Sequence, residues 1–135
     1  MAFQKPLPEP THISAPFWEA LQKHRIEIQQ CGSCAHWVFY PRNHCPGCFS
    51  DDLHWKEVSG EAELLTYTIT HIPTLPEFAD AMPQMLAVVK LKEGPHMNSV
   101  LVDMAPEEIE VGMALKPVFD DTVPGKTTLL HFTKR

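Results

Sequence analysis

Four cysteines place the tightest constraint on how this chain can fold. Cys31-Gly32-Ser33-Cys34 and Cys45-Pro46-Gly47-Cys48 repeat a C-x2-C pattern across a ten-residue spacer. Each pair puts two thiols on one tight turn, and two such turns facing each other present four sulfurs in a tetrahedron. Zinc, which binds sulfur at about 2.3 Å, suits this set, and iron fits the same cage. Cys31, Cys34, Cys45 and Cys48 are therefore the expected ligands of one Zn2+. Protein thiolates fill the whole coordination shell, so the site is expected to be structural rather than catalytic. Gly32 and Gly47 are expected to supply the backbone freedom of the two turns. Trp37-Val38-Phe39, at the centre of the spacer, fits a short hairpin between them. His36 and His44 flank the cysteines as exposed neighbours. Arg42 between them either offsets the negative charge of four thiolates or is an ordinary surface arginine.

The remaining composition narrows the class. A single core in a chain of 135 residues buries roughly two-thirds of the unfolded surface. No apolar run approaches the roughly 18 residues that span a bilayer. The start, Met1 to Pro8, lacks the apolar stretch of a secretory signal. A cytoplasmic protein is expected, in a compartment that favours metal binding over disulfides. Lys plus Arg total 11 against 17 Asp plus Glu, a net charge of −6 with no basic run. That balance argues against polymeric nucleic acid as a partner.

The fold expected is mainly β: an N-terminal arm, helix and lead-in strand over 1–30, a zinc ribbon over 31–55 and a five-stranded barrel over 56–135. Pro6, Pro8 and Pro10 keep the first thirteen residues extended, with Phe3 and Leu7 offering apolar contacts. A short helix over 14–24 follows, with Ser14 as N-cap, Pro16 in the first turn and Glu19 at the positive end. Phe17, Leu21, Trp18 and His24 fall at helical spacing. So short a helix has to pack on something, either this chain or a second subunit. Ile26 to Gln29 alternates and leads as a strand into Cys31. Barrel strands are expected at 65–70, 85–91, 99–103, 115–119 and 127–132, with a helical turn at Pro106 and a last turn at Gly125. Pro117 marks an edge or a bulge. This pattern suits a small Greek-key barrel of the OB type.

One connection stands apart. Residues 72–83 carry three prolines with Ile72, Leu75, Phe78 and Met82. The loop either folds back on its own barrel or forms a docking surface. Nothing along the chain assembles a nucleophile, base and orienting group. His71 reads as a polar surface group, and the pairs Asp51-Asp52, Glu107-Glu108 and Asp120-Asp121 read as solubility and capping groups.

Taken in order, these features resemble a known family: accessory proteins with an N-terminal helix, a rubredoxin-like zinc ribbon and a C-terminal OB fold, associated with thiolase-like acyl-CoA enzymes. The matching stretches are Pro16-Phe17-Trp18-Glu19-Ala20-Leu21, Gln30-Cys31 through Cys34, Trp37 through Arg42, and Cys45 through Cys48. Trp55, Val58-Ser59-Gly60, Tyr67-Thr68, Glu93-Gly94-Pro95 and Gly112-Met113 follow. The resemblance implies a non-catalytic subunit in a hetero-oligomer with a thiolase or aldolase. In such an assembly the partner carries the catalytic residues and acts on a CoA thioester. The contact candidates are Phe17, Trp18 and Leu21 on the helix, and Leu75, Phe78 and Met82 on the long loop. Two other functions fit the same architecture. One is a single-stranded nucleic-acid binder, although the middle strands offer Lys90 and Lys92 without an aromatic residue. The other is a stand-alone acyl-CoA-binding module.

Overall fold

A computed structural model describes residues 6–123 and 127–135. Phe3 in the arm and Gly125 in the last turn lie outside the described residues. The described residues form one helix and eight strands: α1 (Ala15–Gln22), β1 (Ile26–Cys31), β2 (Trp37–Val38), β3 (Leu53–Val58), β4 (Ala62–Thr70), β5 (Gln84–Leu91), β6 (His96–Leu101), β7 (Ala114–Val123) and β8 (Thr127–Lys134). Short 3-10 turns at Pro76–Ala81 and Pro106–Glu108 interrupt the β4–β5 and β6–β7 connections.

Two sheets form. The first is three-stranded in the order β2-β1-β3, and the second is a closed barrel in the order β4-β5-β6-β8-β7. The expected OB-type barrel is therefore present. Its strands differ in extent from the sequence expectation: β4 begins at Ala62 and β6 spans His96–Leu101 rather than 99–103. β3 was not anticipated. Asp51-Asp52 and the charged Lys56-Glu57 mask its alternation, yet it pairs with β1 along its whole length, from Ile26↔Val58 to Cys31↔Leu53. The barrel is tight along β4–β5 and β5–β6. β6 meets β8 in ladder register only at Leu101↔Phe132, so the two strands splay into a seam. Pro117 costs no ladder bond to β4, because β7 pairs with β4 only through Ala114 and Leu115.

One apolar core joins helix, ribbon sheet and barrel. Phe17 and Leu21 of α1, Ile26 and Ile28 of β1, and Val58 of β3 pack in the same cluster as Leu64, Val89, Leu101, Leu115 and Phe132. The helix thus docks on its own chain, against β1 and β8. Ser14 occupies the N-cap position without capping the helix with its side chain. Its Oγ instead accepts hydrogen bonds from the backbone N–H and the hydroxyl of Thr11, at 2.9 and 3.0 Å. Glu19 lies beyond the first turn, which holds no acidic residue.

The helix ends before His24, which takes a left-handed φ of 57°. His24 stacks on Phe119 with ring centroids 5.0 Å apart, and its Nε2 lies 2.9 Å from the Asp121 carboxylate. Thr128 donates its hydroxyl to the same carboxylate at 2.6 Å. Asp121 is therefore more than a solubility group, since it ties the helix end to the β7–β8 pair. Glu108 does cap its turn, accepting the N–H of Ala105 at 3.3 Å and pairing with Lys134.

Candidate metal centre and adjoining cleft

The two C-x2-C segments form facing knuckles. The first begins at Cys31, the last residue of β1, and the second lies between β2 and β3, so the β1–β2 and β1–β3 ladders carry both to one end of the ribbon sheet. The Sγ atoms of Cys31, Cys34, Cys45 and Cys48 all lie within 4.8 Å of one another. Cys31 approaches Cys48 to 3.6 Å, and Cys34 approaches Cys45 to 3.6 Å. Backbone amides point at the sulfurs: Ser33 and Cys34 donate to Cys31 at 3.3 and 3.5 Å, and Gly47 donates to Cys45 at 3.3 Å.

The knuckles are built alike. In each, the residue after the second cysteine returns its N–H to the carbonyl of the first: Ala35 to Cys31 at 2.9 Å and Phe49 to Cys45 at 2.8 Å. Those two residues carry the left-handed backbone, with φ of 64° and 63°. Gly32 and Gly47 do not, which corrects the expectation that the glycines supply the turn. At Gly32 a Cβ would stand 2.2 Å from the Asp52 carboxylate, so a side chain there would have to displace Asp52 from its 2.7 Å contact with His54.

Crowding sets the thiols against one another. The backbone N–H of Cys34 outweighs desolvation and draws Cys31 down to about 6. The amide of His36 lowers Cys34, but hydrogen bonding to Cys48, desolvation and Cys45 outweigh it and push that thiol up to about 12. Four thiolates at this spacing are compatible only with a cation among them. The donor set fits zinc, and Cys31, Cys34, Cys45 and Cys48 would hold it with no protein-free position. His36 and His44 are exposed and lie outside the sulfur cluster. Arg42 is exposed and enters through its backbone. Its N–H and C=O pair with the side-chain amide of Gln29 at 2.8 and 2.9 Å. Gln29, buried on β1, is a structural residue that sequence reading missed.

Beside the ribbon lies an apolar cleft of about 300 Å³. It opens where β6 and β8 splay, between Met97–Val100 and Leu129–His131, and is walled by α1 and by Phe39-Tyr40-Pro41. Phe17, Trp18 and Leu21 all line it. Phe17 and Leu21 do so from the core, at 7% and 0% exposure, so Leu21 has no free surface to offer a partner. Trp18 is half-buried. Tyr40 closes one side, its hydroxyl accepting the N–H of Asn98 at 3.1 Å. Ser99 closes another, donating to the Leu130 carbonyl at 3.0 Å.

Leu75, Phe78 and Met82 are not part of this cleft. Their segment is the 3-10 turn Pro76–Ala81 and its flanks. Leu75 is 43% exposed and neighbouring Ile72 86% exposed; Phe78 and Met82 are half-buried. The Met82 sulfur accepts the Thr70 hydroxyl at 3.7 Å. Tyr40, Met97 and Leu130 were not foreseen as cleft residues, because four separated segments build the cleft and no local pattern announces it. No helix among the described residues is long and apolar enough to cross a membrane.

Comparison with known proteins agrees with this architecture. Residues 18–54 match the rubredoxin-like zinc ribbon domain of ChsH2, and residues 55–120 match its C-terminal OB-fold domain. A solved chain of an Ltp2-ChsH2(DUF35) aldolase superposes with a TM-score of 0.84 at 32% identity, covering 94% of this chain and 98% of that one. A DUF35 domain-containing scaffold protein of Methanothermobacter thermautotrophicus is 32% identical over 99 residues, 73% of this chain and 74% of the relative. A probable enoyl-CoA hydratase alpha subunit of Thermomonospora curvata is 35% identical over 109 residues. Those residues are 81% of this chain but 34% of the relative, so this chain spans about a third of that protein. A helix docked on a four-cysteine zinc ribbon, followed by an OB barrel, places the chain in the ChsH2 (DUF35) family.

Proposed function

We propose that this chain is a non-catalytic, zinc-stabilised accessory subunit of a thiolase-like enzyme, a thiolase or aldolase that acts on acyl-CoA thioesters. The observation that carries this is the closed four-sulfur site: its donors fill a tetrahedral shell, which leaves the metal to cross-link two turns rather than to activate substrate. The zinc supplies a structural tie when bound. This chain's own residues supply shape. Trp18, Phe39 and Tyr40 present one apolar wall beside the seam, and Ile72 and Leu75 present exposed apolar side chains on the β4–β5 connection. The names of the relatives support the reading, since they include scaffold proteins, a hydratase alpha subunit and a ChsH2-containing aldolase. Under this reading the CoA thioester is substrate of the assembly, and the protein is cytoplasmic.

The test is co-expression with a thiolase-like protein from the same genome. The two chains are expected to co-elute as a hetero-oligomer. Ile72→Asp and Leu75→Asp alter exposed side chains and should leave this chain folded while weakening co-elution by about tenfold or more. A chain that remains alone in the presence of every such candidate overturns the assignment.

A further inference from the structure

Each knuckle pairs a sheltered first cysteine with an open second one. Cys31 and Cys45 are 2% and 0% exposed, whereas Cys34 and Cys48 are exposed. Two sulfur contacts cross between the knuckles: Cys34 with Cys45 and Cys48 with Cys31, both at 3.6 Å. Each contact therefore joins an exposed cysteine with a buried cysteine of the opposite turn. This is the arrangement of an attacked thiolate beside a resolving one.

We propose that the ribbon is an oxidation site that releases its metal, with hydroperoxide entering at Cys34 and Cys48 and disulfides closing across the knuckles. A metal-bound sulfur is held as thiolate, the nucleophilic form. The Cys34 sulfur attacks one peroxide oxygen, the O–O bond breaks, hydroxide leaves and a sulfenic acid remains. The Cys45 thiolate then attacks that sulfur, the S–O bond breaks and a second hydroxide leaves. Cys48 and Cys31 repeat the sequence. Four thiolates and two hydroperoxides give two disulfides and four hydroxides, and Zn2+ departs with no ligand left to hold it. The closing sulfurs move from 3.6 Å to the roughly 2.05 Å of a disulfide. The bonds made in this way still tie one knuckle to the other. The main apolar core contains none of the four cysteines, so it is expected to persist.

The experiment uses the full zinc-loaded chain, hydrogen peroxide as oxidant and a colorimetric chelator to read free zinc. Trypsin cleavage after Arg25, Arg42 and Lys56 places Cys31 and Cys34 in the peptide 26–42, and Cys45 and Cys48 in the peptide 43–56. Cross-knuckle disulfides link these two peptides, whereas disulfides within a C-x2-C pair leave them separate. The linked pair should appear in step with zinc release, at about two peroxides per zinc, and dithiothreitol with added zinc should reverse both. Separate looped peptides, sulfinic acids without linkage, or retention of zinc in large peroxide excess overturn the proposal. Before oxidation, limiting iodoacetamide should label Cys34 and Cys48 about tenfold faster than Cys31 and Cys45; the opposite order overturns it as well.

Discussion

Gly60 and Gly47 look alike in the sequence and behave differently in the structure. Gly60 has φ +82°, and a Cβ there would stand 2.7 Å from Pro117 Cγ and 3.0 Å from Ile26 Cδ1. Both the left-handed backbone and the crowding oppose any side chain. Gly60→Ala is expected to cost roughly 2 kcal/mol or more in chemical denaturation. Gly47 has an ordinary φ, and its nearest contact would be Cys45 Sγ at 3.6 Å. Gly47→Ala should stay within about 0.5 kcal/mol of the parent. A large loss at Gly47, or none at Gly60, would contradict this account of the turns. The metal ligands are legible in sequence because thiol spacing directly encodes knuckle geometry. The conformation of each knuckle is not: the left-handed positions fall on Ala35 and Phe49, residue types that give no sign of it. The amide of Gln29 is equally silent, since its partner is the backbone of Arg42 thirteen residues away.

Elements with their own periodicity were readable, and elements defined by a partner were not. The helix and β1 follow from apolar spacing. β3 exists because β1 offers it a ladder, and its own sequence breaks the apolar alternation with His54, Lys56 and Glu57. The helix end depends on distant groups in the same way. His24 and Thr128 converge on Asp121, and the Thr128 hydroxyl, then His24, hold its carboxyl below the usual range. A lowered folded pKa means that the ionised carboxylate contributes stability above the unfolded pKa of about 3.9. That contribution is lost as pH falls through the lower folded value. Asp121→Asn should therefore lower the unfolding midpoint at pH 7, with a gap to the parent that narrows as pH falls below the unfolded pKa of about 3.9. Acid strips zinc from thiolates in parent and variant alike, so the comparison is made between the two proteins at each pH. A gap that is unchanged in acid would show that Asp121 acts through packing rather than charge.

At the scale of the whole molecule, two clusters of unequal size divide the labour. The larger runs from Phe17 through Ile26 and Val58 to Phe132 and contains none of the four cysteines. The smaller holds only Cys31, Val38 and Cys45 with Leu53 against them, far too little apolar surface to stand alone. Chelating the zinc is therefore expected to loosen the knuckles without melting the barrel. Hydrogen exchange should accelerate across 31–52 while β5, β6 and β8 keep their protection. The consequence reaches the cleft, because Phe39, Tyr40 and Pro41 belong to the ribbon yet wall a space whose other side is β6 and β8. The hydrogen bond between Tyr40 and the Asn98 amide, at 3.1 Å, is one tie across that boundary and is worth about 1 kcal/mol. Losing the metal frees the loop that carries Tyr40 and should expose the amide of Asn98 to exchange. If the proposed accessory role uses this wall, partner binding should then fail in a chain whose barrel is still folded, and added zinc should restore it. Cooperative unfolding of the whole chain on chelation would instead make the metal a condition of the entire fold, and the two-cluster division would be wrong.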